Sequence, residues 1–304
     1  MGLLAAIKRI GKKLYVDYYA DLFRSLIRLI RLRQGYGVAV AIRRDRGESS
    51  DTPLDILIPV IDKDSDSLPY VVDSAREHIR HPIRNIYLVC PAQSVRVREI
   101  AGEKGCICVD EASLLPIGKG DIGYRVGGVD RSGWLYQQFL KWCGDQFTTE
   151  DHYLILDSDT VLIEPHVFVS RGKQVFDYCD EYHQPYFEAI GRLLGFFPAC
   201  PVSFTSHHSL VSKKVMSELK AEIERIHGVE WYRAIMGIVD QSQMSSQSDY
   251  DTYAHFFFKN HKDEMLVRYW FNKSLPRASL SELDLLKRRY SGKYRTLSFH
   301  EYRK

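Results

Sequence analysis

Two carboxylates stand one residue apart in Tyr153-Leu154-Ile155-Leu156-Asp157-Ser158-Asp159-Thr160, directly after an apolar run. If that run is a strand, side chains at i and i+2 share a face, so Asp157 and Asp159 converge at its carboxyl end. Like charges placed so close repel unless a cation lies between them or one is protonated. Hard carboxylate oxygens suit Mn2+ or Mg2+, ions that keep open positions for phosphate and water. Such an ion bridges a diphosphate and neutralises the charge that develops as it leaves. The plainer alternative is a turn in which the two aspartates cap the following segment. A second polar group lies upstream, where Trp134, Gln137, Gln138 and Lys141 share one side of a helical stretch whose core stripe is Leu135, Phe139 and Trp142. Adjacent glutamines beside a tryptophan suit a polar pocket wall, or are simply solvated.

These residues need a scaffold, and the chain alternates strand and helix patterns after a linker at 43–53. Residues 55–60 form a buried-strand run, and Val72, Ala75 and Ile79 mark one face of the next helix. Residues 85–90 form a second strand, 94–104 a helix-like stretch and 106–109 a third strand. That order predicts a parallel sheet covered on both faces, with ligands at the carboxyl ends of its strands. The glycine-rich loop 116–133 has neither the dinucleotide fingerprint nor the P-loop ending, and reads as an active-site loop or an ordinary surface loop. Neither a Ser-His-Asp order with a nucleophile elbow nor a Cys-His nucleophile setting occurs, which leaves hydrolase chemistry without support.

The order and spacing of several short motifs resemble a known group of enzymes. Ile58-Pro59-Val60 with Asp62-Lys63-Asp64, and the Asp-Ser-Asp-Thr segment about a hundred residues later, are similar to the two landmarks of nucleotide-sugar-dependent glycosyltransferases of the GT-A fold. Residues 133–141, Ser206-His207-His208, Ser248-Asp249-Tyr250-Asp251-Thr252-Tyr253 and Ser298-Phe299-His300 resemble one bacterial branch associated with surface-polysaccharide synthesis. The likeness spans about residues 54–302. It implies an α/β, Rossmann-like mixed sheet flanked by helices. Pro59, Val60, Asp62, Lys63 and Asp64 would line the nucleotide pocket, with Gln137, Gln138 and Ser158 completing the donor site. Asp157 and Asp159 would hold Mn2+ or Mg2+, with His300 as a third ligand from a late segment. His207 or His208 would touch the acceptor or the phosphates, although neighbours on a strand face opposite ways and one of the pair suits the core. An inverting transferase needs a general base near the acceptor hydroxyl. Asp249 is the candidate and Asp251 the reserve, while the same stretch also suits a helix N-cap.

The 304 residues are 45% hydrophobic and 27% charged, which excludes both a disordered tail and a polytopic membrane protein. Lys plus Arg number 42 against 39 Asp plus Glu, too even for a nucleic-acid binder. The average hides an asymmetry: residues 1–48 carry a net +7 and the remainder −4. From Leu3 to Arg33, Leu3, Ile7, Ile10, Leu14, Leu22, Leu26, Ile27 and Ile30 recur at helical spacing with basic residues opposite. That is the pattern of an interfacial membrane helix, or of a helical hairpin packed on the body. The expected division is therefore a basic amphipathic helical segment with linker at 1–50 and a catalytic domain at 51–304. Six scattered cysteines without C-x-x-C pairing read as reduced thiols of a cytoplasmic protein. The first residues lack the uninterrupted apolar segment and small-residue cleavage site expected of a secretory signal, and Ala6 stands where myristoylation wants Ser or Thr.

The expected activity is transfer of a sugar from a nucleoside diphosphate sugar, a UDP-sugar in the first instance, to a surface-polysaccharide or lipid-linked glycan acceptor. The expected setting is the cytoplasmic inner face of the membrane, peripherally bound, with no nucleic-acid partner. The alternatives are a nucleotidyl or phosphosugar transferase of related fold, and a non-catalytic sugar-nucleotide-binding subunit of a polysaccharide assembly complex.

Overall fold

A computed structural model describes residues 2–41, 48–200 and 202–300, with backbone alone for 2–15 and 17. In chain order the elements are α1 (Gly2–Tyr36), β1 (Ala39–Ala41), β2 (Leu54–Pro59), α2 (Leu68–His78), β3 (Ile83–Cys90), α3 (Val95–Lys104), β4 (Ile107–Asp110), β5 (Arg125–Val126), β6 (Val129–Asp130), α4 (Ser132–Trp142), α5 (Gly144–Phe147), β7 (His152–Leu156), β8 (Thr160–Leu162), β9 (Val169–Ser170), β10 (Lys173–Tyr178), α6 (Gln184–Leu194), β11 (His208–Ser212), α7 (Lys213–His227), α8 (Trp231–Ile238), α9 (Asp249–Asn260), β12 (Met265–Tyr269), β13 (Asn272–Pro276), α10 (Leu283–Tyr290) and β14 (Thr296–His300).

The central sheet has the order β11-β7-β2-β3-β4, with β7, β2, β3 and β4 parallel and β11 antiparallel to β7. Its apolar strands alternate between two cores. Leu57, Tyr153 and Ile155 enter one, and Ile56, Ile58, Leu154 and Leu156 enter the other. Burial on both faces explains why these strands read as continuous apolar runs. Asp55 is the exception within β2. Its fully buried carboxylate accepts from the backbone of Asn85 (3.0 Å), Thr149 (2.6 Å) and Glu150 (3.0 Å), which ties β3 and the loop before β7 to the strand. The expected mixed α/β sheet flanked by helices is what the chain forms.

Two smaller sheets complete the frame. β1-β12-β10-β9 forms one, and β13-β14-β8 the other. In the latter, β14 pairs antiparallel with β8 and parallel with β13, so Pro276 faces His300 and the Phe299 amide donates to the Asp159 carbonyl (2.9 Å). A late strand is thereby delivered to the turn that follows β7.

The amino-terminal segment is one continuous helix where a hairpin was the packed alternative. Its packed side consists of Tyr18, Ser25, Leu29 and Leu32, and β1 follows it as an edge partner of β12. Tyr178 donates to the Ser25 carbonyl (3.1 Å), and the Ser25 hydroxyl turns inward to Leu22 O (2.7 Å). The buried side is therefore rotated from the expected stripe. Leu22, Leu26 and Ile27 are half-buried and Ile30 is exposed, while Leu3, Ile7, Ile10 and Leu14 lie outside the residues whose side chains are described. Of the expected linker, residues 43–47 lie outside the described residues, and 48–53 carry neither helix nor strand.

Candidate active site

The carboxyl ends of β2 and β7 and the start of β11 meet at one edge of the central sheet, where a cleft of about 570 Å3 opens. Its floor is the turn after β7. Asp157 Oδ1 receives Lys141 Nζ at 2.8 Å and the Tyr250 hydroxyl at 2.7 Å, and Oδ2 receives His207 Nδ1 at 3.3 Å. Asp159 Oδ2 lies 3.0 Å from His300 Nδ1. Asp249 Oδ2 is 3.4 Å from Lys141 Nζ.

Each group is placed by a local feature of the chain. Gln138 and Lys141 are three residues apart on α4, hence on one face. Gln138 Oε1 accepts from the Asp249 amide (2.9 Å), which locks α4 to the first turn of α9. Ser248 caps α9 by accepting from the Asp251 amide (3.1 Å), so Asp249 occupies the first helical position and its carboxylate faces the floor. His207 stands at φ +64°, a left-handed backbone rare outside glycine, just before β11 begins. Its carbonyl accepts from the Asp157 amide (3.0 Å), and its ring spans Asp157 and Glu181, with Nε2 3.1 Å from Glu181 Oε1.

Charge is distributed unevenly over this floor. Burial pushes the Asp249 carboxyl up, Asp157 adds to that, and Lys141 opposes it, leaving the group at about 6. Burial acts the same way on Asp157, but Lys141 and His207 outweigh it and hold that carboxyl well below the usual range. Burial opposes the charge of His207, yet its bonds to Asp157 and Glu181 prevail and raise it to about 10. Lys141 is buried and held above its ordinary value, since Asp157 and Asp249 outweigh desolvation. The floor thus pairs a firmly ionised carboxylate with one poised near neutrality.

The walls differ in character. On one side Arg277 donates to Asp64 Oδ1 (2.7 Å) and Ser67 Oγ (2.6 Å), and the Ser67 hydroxyl also lies 2.8 Å from the Ser158 carbonyl. Lys63 lies 3.8 Å from Asp64. On the other side Arg131 covers Trp134 (4.7 Å to the ring centre) and donates to Met244 O (2.7 Å), beside Tyr186 and Gln247.

Of the residues expected from sequence, Lys63, Asp64, Gln137, Gln138, Asp157, Ser158, Asp159, His207, Asp249 and His300 line this cleft. Five do not. Pro59 and Val60 are buried at the end of β2, with Val60 bound to the Val89 carbonyl. Asp62 turns to the start of α3 and accepts from Val97 N (3.4 Å). His208 points into the core, 2.9 Å from Asp177 Oδ2 and 4.1 Å from the Trp270 ring, and burial lowers its pKa. Asp251 is fully buried and clamps the segment 203–205, accepting from the Phe204 amide, Ser203 Oγ (3.1 Å) and Thr205 Oγ1 (3.1 Å). Burial pushes its carboxyl up to about 7 against those bonds. Sequence reasoning placed Lys141 on the right helix side without a role, and gave no signal for Glu181 or Tyr186, which arrive from a loop and a helix end.

The donor chemistry suits a hard divalent ion. Carboxylate oxygens and an imidazole are ligands that Mn2+ accepts, and Asp159 Oδ2 and His300 Nδ1 lie 3.0 Å apart, within hydrogen-bond distance of each other. Among the described residues, no group of three or more His, Cys, Asp or Glu is gathered tightly enough to enclose a metal. Asp157 is held instead by Lys141, Tyr250 and His207. Asp157, Asp159 and His300 are of residue types that a hard divalent ion accepts.

Residues 54–287 match a protein family described as a family of unknown function, DUF6492. The chain belongs to the DUF6492 family. The match takes in both carboxylates of the β7 turn, α4 and the first turn of α9, and ends before His300. No curated protein matches this DUF6492 chain. Solved structures that resemble it include glucosyl-3-phosphoglycerate synthase from Mycobacterium tuberculosis in complex with Mn2+, UDP-glucose and phosphoglyceric acid. That likeness has 14% identity and a TM-score of 0.45, covering 77% of each chain. The galactosyltransferase LgtC in complex with donor and acceptor sugar analogues is similar at 11% identity and a TM-score of 0.45, over 82% of this chain and 87% of that one.

Proposed function

We propose that this DUF6492 protein is a metal-dependent glycosyltransferase of the GT-A type, moving a sugar from a nucleoside diphosphate sugar to a glycan hydroxyl. One observation carries the reading. A carboxylate pair at the end of a parallel strand shares a cleft floor with Asp249, a buried carboxylate brought to about 6. Asp157, Asp159 and His300 would hold Mn2+ or Mg2+, which when bound neutralises the diphosphate leaving group. The chain's own groups supply the rest. Arg277 and Lys63 are cations for the diphosphate on one wall, while Lys141, Tyr250 and His207 fix the Asp157 carboxylate. Asp249 takes the proton of the acceptor hydroxyl as that oxygen bonds to the anomeric carbon and the bond to the diphosphate breaks. A base poised near 6 is ionised at neutral pH and still able to accept a proton. Trp134 and Tyr186 give the opposite wall aromatic faces suited to sugar rings. The acceptor we favour is a surface-polysaccharide or lipid-linked glycan, and the donor a UDP-sugar.

The test is thermal unfolding with a panel of nucleotide sugars, with and without Mn2+. A ligand at 100 times its dissociation constant adds about 2.7 kcal/mol. We expect one nucleotide class to stabilise the protein only with Mn2+, and Asp159→Ala and His300→Ala to abolish that increment while the unliganded midpoint stays near wild type. Sugar transfer that persists in EDTA and in Asp159→Ala overturns the metal-dependent reading.

A further inference from the structure

α1 has a second side that the body does not cover. Val16 (55% exposed), Tyr19 (47%), Phe23 (66%) and Ile30 (46%) follow one another at spacings of three, four and seven, and so fall on one line along the helix. The packed residues Tyr18, Ser25, Leu29 and Leu32 lie diametrically opposite. The exposed line runs about 21 Å along the axis, at 1.5 Å per residue. Exposed Arg31 and Arg33 flank it on its two sides, whereas Arg28 lies toward the packed side and Arg24 pairs with Asp21. The other exposed large apolar residues, such as Phe197 and Met244, are scattered. Isolated ones are ordinary on protein surfaces, whereas a continuous line beside cations is not.

We propose that this outer side of α1 docks the protein on an anionic lipid surface. Positive charge decides the occupant. Apolar tips that sink to the acyl boundary, with arginines beside them at head-group level, match the interfacial mode of membrane helices. No helix of the described residues is long and apolar enough to cross a membrane, so the helix lies on the surface. Because its inner side is built into the core, docking holds the whole body at the lipid instead of tethering it through a flexible arm. The inference is independent of the sugar-transfer reading.

The experiment is co-sedimentation of the full chain with vesicles of equal phosphatidylglycerol and phosphatidylcholine, and with phosphatidylcholine alone, in 0.1 M NaCl. Expected is binding to the anionic vesicles that is lost on neutral ones. Arg31→Gln with Arg33→Gln should weaken it about 30-fold, since each basic residue near such a surface contributes about a factor of five. Phe23→Ser should weaken it about tenfold. Both variants should keep the wild-type unfolding midpoint, whereas Leu29→Asp on the packed side should lower that midpoint. Equal binding to neutral vesicles, or full affinity in the double arginine variant, overturns the proposal. A wild-type dimer that Phe23→Ser splits into monomers, with no vesicle binding, assigns the surface to a second copy and overturns it as well.

Discussion

Lys141→Met tests the electrostatics of the floor most directly. The ammonium lies 3.4 Å from Asp249 Oδ2, and at an effective dielectric of about 20 that attraction amounts to about 5 kcal/mol. Divided by 1.36 kcal/mol per pH unit, the full loss corresponds to over three units, and relaxation with water entry leaves about two. The sign follows from the group. Asp249 is a base only when ionised, and losing a cation raises its pKa further above about 6. In the wild type kcat/KM should therefore rise with pH through about 6, and in Lys141→Met the same limb should lie near 8, with the alkaline plateau partly preserved. The assay is release of nucleoside diphosphate across pH 5–9 with the donor identified by thermal shift, alongside circular dichroism to verify folding. An acid limb that stays at about 6 in a folded variant refutes either the base role of Asp249 or the control of its charge by Lys141.

Asp249→Asn and Asp251→Asn should separate two acidic residues that look interchangeable in sequence. The first should lower turnover by about 10^2 to 10^4 with donor binding kept, and the second should keep turnover while destabilising the fold by about 1–2 kcal/mol, read from urea unfolding. Asp177→Leu should cost about 3–5 kcal/mol in the same measurement, because Arg268, 2.6 Å from that carboxylate and 2% exposed, loses the charge that neutralises it.

Much of the frame was legible because its periods are strong. The strands around 55–60, 85–90 and 106–109 and the helix that carries Leu135, Phe139 and Trp142 follow directly from apolar runs and 3.6-residue stripes. The β7 turn was legible for the same reason: a strand ending in Asp-Ser-Asp puts its carboxylates at the sheet edge whatever the remaining topology. What stayed hidden depends on pairing between distant segments. The choice between His207 and His208 required the register of β11 against β7, where His208 faces Leu156. The roles of Pro59, Val60 and Asp62 turned on how sharply the chain leaves β2, since the cleft begins one residue later, at Lys63. Glu181 lies in a stretch without periodicity, and its place opposite His207 comes only from packing. In α1 the apolar repeat announced a helix, but leucine and isoleucine spread around it left the packed side to be chosen by Ser25 and its bond with Tyr178.

The left-handed turn at His207 makes two neighbouring residues of one type into different chemical species. One is a cation between carboxylates in the cleft, the other a neutral ring buried against tryptophan. A shift of one residue in the approach to β11 exchanges them, sending a charge into the core and removing it from the floor. Length, more than side-chain identity, is therefore the sensitive variable in the segment before this strand. A one-residue deletion there is a graver lesion than a substitution at either histidine, and grafts or loop swaps across it succeed only if they preserve the count.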